Sequence, residues 1–226
     1  MRNAIVIDEL VITSDNAGAI GQKDLDVVQV PDDVTSYYSA RVTLLEQLAA
    51  GALPHTIIML NFSSVEAWPR YIVGIERLFS ELSLPLPTIQ GSTESNIPTL
   101  QSAIGLTMIG RRVFKKTAYD FVDLQWYSYG IPLVGQQLLE HVDASASIKT
   151  IIAALQDDII EQIIPVGSKG IKYEIKQLLD VNLEQGDLPF NIDASAGPST
   201  VVILGLKKQS ATLIEQQFPA YLHRLI

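Results

Sequence analysis

Twelve consecutive residues, Thr13 to Asp24 (TSDNAGAIGQKD), concentrate side chains able to meet an anion or a metal ion. Asp15 supplies a carboxylate and Lys23 a cation, while Gly18 and Gly21 allow the backbone conformations and close approach that an anion-binding turn needs. The same composition suits a tight connection between two strands, so a turn and a site both fit these residues. One well-defined motif is excluded by spacing. Counted from Gly18, the phosphate loop G-x-x-x-x-G-K-[ST] would need glycine and lysine where Lys23 and Asp24 stand. The segment is not a dinucleotide fingerprint either.

Other reactive residue types are sparse. The absence of cysteine removes disulfides, thiolate metal sites and a cysteine nucleophile, and three histidines leave little for a histidine-rich metal centre. His55 opens a predicted strand and His141 closes a predicted helix, where the dipole favours a cation; both read as structural. The stretch GSKG, Gly167 to Gly170, suits either an anion at a helix N-terminus or a plain helix cap. Trp126, Tyr127 and Tyr129 could stack on a base, but strand alternation puts Trp126 and Tyr127 on opposite faces, so the core claims at least one.

The chain has 226 residues, 47% of them hydrophobic, enough for one large domain or two small ones around a sizeable core. Its net charge of −9 repels nucleic-acid backbones and anionic membranes, so neither is expected as a partner. The N-terminal apolar run is broken by Asp8 and Glu9, and no apolar segment long enough to span a bilayer follows. A cytoplasmic protein is expected.

The elements that must position these groups read as an α+β alternation. NAIVIDELVIT is one strand or two around an acidic kink, and LDVVQVP is a strand stopped by Pro31. A helix runs from Thr35 with Gly51 as its stop, followed by the strand HTIIMLNF and the helix VEAWPRYIVGIERLFSEL. The strands LPTIQG and LQSAIGLTMIGR end a first domain, residues 1–112. The second, 113–226, begins with the strand DLQWYSYG. IPLVGQQLLEHV, SIKTIIAALQDDIIEQII and SKGIKYEIKQLLDVN read as three helices, then STVVILGL as a strand and SATLIEQQFPAYLHRLI as a helix. The junction falls near 111–118.

Three blocks in order resemble the aminoimidazole ribonucleotide synthetase (PurM-like) superfamily. LVITSDNAGAIGQK resembles its Thr-Asp-Gly-Val-Gly-Thr-Lys strand and loop. ARVTLLEQLAAGALPHTIIMLNF resembles its Asn-x-x-Asp-x-x-x-x-Gly-Ala-x-Pro helix and strand, and LPTIQGSTESNIPTLQSAIGLTMIG its Gly-Gly-Asp/Glu-Thr loop and strand. DLQWYSYGIPLVGQQLLEH and PVGSKGIKYEIKQLL resemble the C-terminal domain. The superfamily includes thiamine monophosphate kinase, selenophosphate synthetase and a hydrogenase maturation protein, and within it the short length and GSTESN look most like α-ribazole kinases.

The resemblance implies an N-terminal lobe that pairs with a second copy into a dimeric β-barrel, a smaller C-terminal α+β lobe, and use of ATP and Mg²⁺ to phosphorylate a small molecule such as a nucleoside. It puts Asp15 and Glu46 in the catalytic role and Asp15, Glu46 and Glu94 as metal ligands. Gly18, Lys23, Arg41, Gly91, Ser92 and Thr93 become nucleotide contacts. The chemistry is coherent for an acidic protein, because Mg²⁺ held by carboxylates neutralises a triphosphate that few cations surround. Two positions depart from the family: Thr43 stands for asparagine and Ser92 for an acid. A glycine-rich arm that precedes the matched strand in relatives is not seen in the nine residues before Leu10. A nucleotide-binding protein without turnover, and another ATP-dependent superfamily activity, are the alternatives. Asp24 and Asp26 read as solvated groups.

Overall fold

The computed structural model describes residues 4–114, 123–186, 188–218 and 220–226. They form two compact units, Met1–Val113 and Phe114–Ile226. The predicted junction near 111–118 lies partly outside the described residues.

The first unit is a five-stranded mixed sheet ordered β1-β2-β7-β5-β6. β1 (Ala4–Ile7) and β2 (Leu10–Gly18) form a hairpin whose turn places Asp8 at φ 53, a left-handed conformation that a short polar side chain tolerates. The acidic kink in the sequence is that turn. Two short parallel strands, β3 (Ile20–Gly21) and β4 (Val28–Gln29), follow. The longer strand predicted for LDVVQVP does not form, because the Asp26 side chain bonds the backbone N–H of both Lys23 and Ser102 and holds this segment in a turn.

Helix α1 (Asp32–Ala49) starts with Asp32 and Asp33 at its positive end and stops before Gly51, whose φ of 77 suits glycine. β5 (Ala52–Asn61) leads through α2 (Ala67–Glu81) to β6 (Thr88–Thr93), which lies parallel to β5. Pro69 is harmless in the first turn of α2, where its missing N–H would have no partner. β7 (Ala103–Arg112) fills the middle of the sheet, antiparallel to β2 on one side and β5 on the other.

One side chain pins α1 to this sheet. The Gln47 amide donates to the carbonyls of Val11 and Met108 at 2.9 Å each and to the Thr13 hydroxyl at 3.2 Å. Gly110 has to be glycine there: a Cβ would collide with Gln47 Oε1 and with the carbonyl of Leu53. Thr13 in turn donates to the carbonyl of Thr43 at 3.0 Å.

The second unit is an antiparallel sheet ordered β11-β8-β10-β9. β8 (Leu124–Tyr129) is followed by α3 (Gln136–Glu140), much shorter than the predicted IPLVGQQLLEHV helix. SIKTIIAALQDDIIEQII is not one helix. It divides into α4 (Ile148–Gln156) and β9 (Gln162–Pro165), with Asp158 left-handed at φ 51 between them. α5 (Gly170–Leu179) and β10 (Val202–Lys207) match the sequence reading. The last segment also divides, into α6 (Ala211–Gln217) and β11 (Leu222–Arg224), with Tyr221 at φ 56 before the strand. Trp126 packs with Ile171, Ile175, Val201 and Ile203 in the core, and its ring occupies the space a side chain at Gly205 would need. Tyr127 and Tyr129 are buried as well.

Candidate functional site

Parallel strands joined by a helix leave their carboxyl ends open to ligands. β5 and β6 end together, Asn61 beside Thr93. Asn61 is buried; its Nδ2 donates to the carbonyl of Ser64 at 2.6 Å and to Thr93 Oγ1 at 3.2 Å, and its Oδ1 accepts the Ser63 N–H at 2.9 Å. The Ser63 hydroxyl lies 2.7 Å from that of Tyr71, whose phenol is pushed up to about 12 chiefly by burial and so stays protonated.

β2 ends on the same edge, Gly18 opposite Ala103. The segment after it is tied to the loop before β7. Lys23 Nζ donates to the carbonyl and hydroxyl of Thr99, both at 2.6 Å, and that hydroxyl donates onward to the carbonyl of Phe62 at 2.7 Å. Asp26, 7% exposed, accepts the N–H of Ser102 at 2.7 Å and of Lys23 at 2.9 Å. Burial works to raise its pKa, yet these hydrogen bonds and the Lys23 charge outweigh it and hold the carboxyl below its ordinary value. Three segments, 19–27 with its short strand β3, 62–66 and 94–102, are thereby stitched into one polar edge.

Several residues singled out from the sequence reach this edge. Gly18 closes β2, and Lys23 and Glu94 lie in the loops. Gly91, Ser92 and Thr93 are not a loop but the last three residues of β6, an edge strand. The Glu94 N–H bonds Asn61, so by alternation the amides of Gly91 and Thr93 point away from β5, along the open margin of the sheet. Gly91 is required by packing, since a Cβ would collide with the Met59 backbone. Glu94 organises its own loop, its Oε1 accepting the N–H of Asn96 at 2.8 Å and of Ile97 at 3.1 Å.

The carboxylates do not assemble as expected. Asp15 is the sixth residue of the nine in β2 rather than a strand-end group, on the same face as Val11 and Thr13 under α1. It shares a cross-strand row with Leu106, Met59 and Gly91, which puts three strand spacings, about 14 Å, between it and Gly91. Glu46 and Arg41 are buried on α1, Glu46 at 2% exposure, and both already have interaction partners. Glu46 belongs to the turn that contacts Val11 through Gln47, away from the loop edge. Among the described residues no three His, Cys, Asp or Glu side chains form a group able to hold a metal ion, so Asp15, Glu46 and Glu94 are not a common ligand set within the chain.

No protein-family model matches this chain, and no curated protein matches it by sequence. Solved structures do match by shape. Hydrogenase maturation protein HypE in complex with ATP superimposes with a TM-score of 0.64 at 11% identity over 98% of this chain and 77% of that one. Thiamine monophosphate kinase from Aquifex aeolicus gives 0.62 at 14% identity over 92% and 82%. AaThiL complexed with AMPPCP and TMP gives 0.63 at 11% identity over 98% and 82%. The fold is PurM-like.

Within this PurM-like fold the residues that shape the polar edge include several the sequence did not single out, Asn61, Ser63, Thr99 and Ser102, and above all Asp26, which reads from the sequence as a solvated group but is buried because it accepts two backbone N–H groups. Their partners are 2 to 76 positions away in the chain. The edge offers hydroxyls, outward amides and the Lys23 ammonium, a set suited to anionic oxygen. Among the described residues no helix is long and apolar enough to cross a membrane.

Proposed function

We propose that this protein binds ATP and transfers its terminal phosphoryl group to a small molecule. The observation that carries the reading is the match, over nearly the whole chain, to structures solved with ATP and with AMPPCP and TMP. The outward amides of Gly91 and Thr93, with Lys23 at the same edge, supply donors for phosphate oxygens. Mg²⁺ enters this reading as the triphosphate's counter-ion, which one or two protein carboxylates suffice to meet. Glu94, next to Thr93, lies nearest the outward amides, and Asp15, three strands from Gly91, meets the ion only if the triphosphate lies across the sheet edge. The acceptor proposed is a nucleoside hydroxyl such as that of α-ribazole, on the strength of GSTESN; thiamine monophosphate is the comparison substrate.

A homodimer belongs to the same reading. The sheet face opposite α1 and α2 exposes Ile5 (61%), Ile7, Ile58, Leu60 (42%) and Phe62, an apolar area that a second copy would cover. A monomer by light scattering at micromolar concentration overturns that part.

Thr43 and Ser92, standing where the resemblance expects an asparagine and an acid, favour a second reading, nucleotide binding without turnover. Isothermal titration with ATP, with and without Mg²⁺, tests what the two share, and product formation from α-ribazole and thiamine monophosphate separates them. Absence of ATP binding in both conditions overturns both.

A further inference from the structure

Lys23 is held at each of its polar groups. Its backbone N–H donates to Asp26 Oδ2 at 2.9 Å, and its carbonyl accepts the Asp26 N–H at 2.9 Å and the Gln29 amide at 2.8 Å. Its ammonium is gripped by a single residue, Thr99, through the carbonyl and the hydroxyl at 2.6 Å each. An ammonium has three N–H groups and no lone pair, so the Thr99 hydroxyl must accept from Lys23 and direct its own proton elsewhere. That proton goes to the carbonyl of Phe62 at 2.7 Å, one residue past the end of β5. The bonds therefore run one way, from Lys23 through Thr99 to the carboxyl end of β5, and they leave one ammonium N–H for a further acceptor.

A lysine side chain that moves freely loses much of its rotamer freedom when it meets an anion. One already held loses little more, so the grip of Thr99 lets more of the charge-assisted bond to an anion appear as affinity. We propose that Thr99 is a positioning residue of the nucleotide site: it holds the Lys23 ammonium and leaves one N–H for a phosphate oxygen of ATP. The inference rests on the nucleotide reading and assigns the effect to one hydroxyl. Thr99→Val keeps the shape of the side chain and removes both bonds of that hydroxyl, while Thr99→Ser retains them. A strap that served folding alone would move the melting midpoint and leave ATP affinity as it was.

The test is calorimetric titration of the full chain with ATP and Mg²⁺. The ¹³Cε resonance of Lys23, assigned by its loss in Lys23→Met, reports on the ammonium without ligand. In the parent and in Thr99→Ser this signal should stand apart from those of the other lysines, and in Thr99→Val it should return among them. ATP binding should weaken about tenfold in Thr99→Val and stay within about twofold in Thr99→Ser. Since Thr99→Val also cuts the bond to Phe62, it is repeated in Lys23→Met, itself about tenfold weaker, where it should add less than about twofold. A parent that binds no ATP overturns the nucleotide reading and this inference with it. Where the parent binds, four results overturn the inference alone: parental affinity in Thr99→Val or in Lys23→Met, a Thr99→Ser as weak as Thr99→Val, the same loss recurring in Lys23→Met, or a Lys23 signal that Thr99→Val leaves in place.

Discussion

The carboxylate of Asp26 accepts the backbone N–H of Ser102 on one oxygen and that of Lys23 on the other, joining chain segments 76 positions apart. Asparagine can accept on only one of those atoms and would present a donor to a donor on the other. Asp26→Asn is therefore expected to cost about 2 kcal/mol in urea unfolding at pH 7. The folded pKa is depressed, so this contribution is complete above the unfolded value near 3.8 and disappears as pH falls through the folded value. The gap between parent and variant should narrow in that acid window; a constant gap would show that charge plays no part.

Gln47→Met keeps the volume of the side chain and removes the amide that bonds Val11, Thr13 and Met108. A loss of about 2–3 kcal/mol is expected, because the bonds are buried. A change below about 0.5 kcal/mol would reduce Gln47 to a space-filler.

Asp15→Asn separates the nucleotide reading from a purely structural one. If Asp15 meets the Mg²⁺-triphosphate, phosphoryl transfer should fall by roughly 10²-fold. Since Asp15 also has a partner inside the chain, the melting midpoint has to be measured alongside. A shifted midpoint with unaltered ATP affinity and turnover would make it a structural residue.

Ser128 is fully buried in β8 and its hydroxyl has no hydrogen-bond partner among the described residues. Replacing a buried, unsatisfied hydroxyl by a methyl removes a desolvation cost, so Ser128→Ala should be neutral or stabilising by about 1 kcal/mol. Destabilisation beyond about 1 kcal/mol would mean that Ser128 finds a partner, such as a bound water.

The sequence was most readable where breakers and periodicity agree, as at the Asp8–Glu9 turn and along α1 and α2. It misled where an apolar repeat crossed a quiet boundary. In IIAALQDDIIEQII the isoleucines keep a helical spacing through Asp157 and Asp158, and only the left-handed backbone of Asp158 marks the change to β9. In the last segment the helix ends at Gln217, and the left-handed backbone of Tyr221 marks the entry to β11. At the candidate site, Lys23 and Gly18 were legible from local composition. Asp26 was not, because what makes it more than a loop carboxylate is Ser102, and no local pattern encodes a partner that far along the chain.

β7 lies between β2 and β5, so the sheet has no seat for the N-terminal hairpin until residues 103–112 arrive. During synthesis the hairpin, made before β7, is therefore among the last parts of its unit to be seated. Until then Ile5, Ile7 and Ile12 wait on a ribbon of two strands, which is marginal alone. In that interval the unpaired strand edges and exposed isoleucines are the surfaces open to aggregation, whatever the stability of the finished protein.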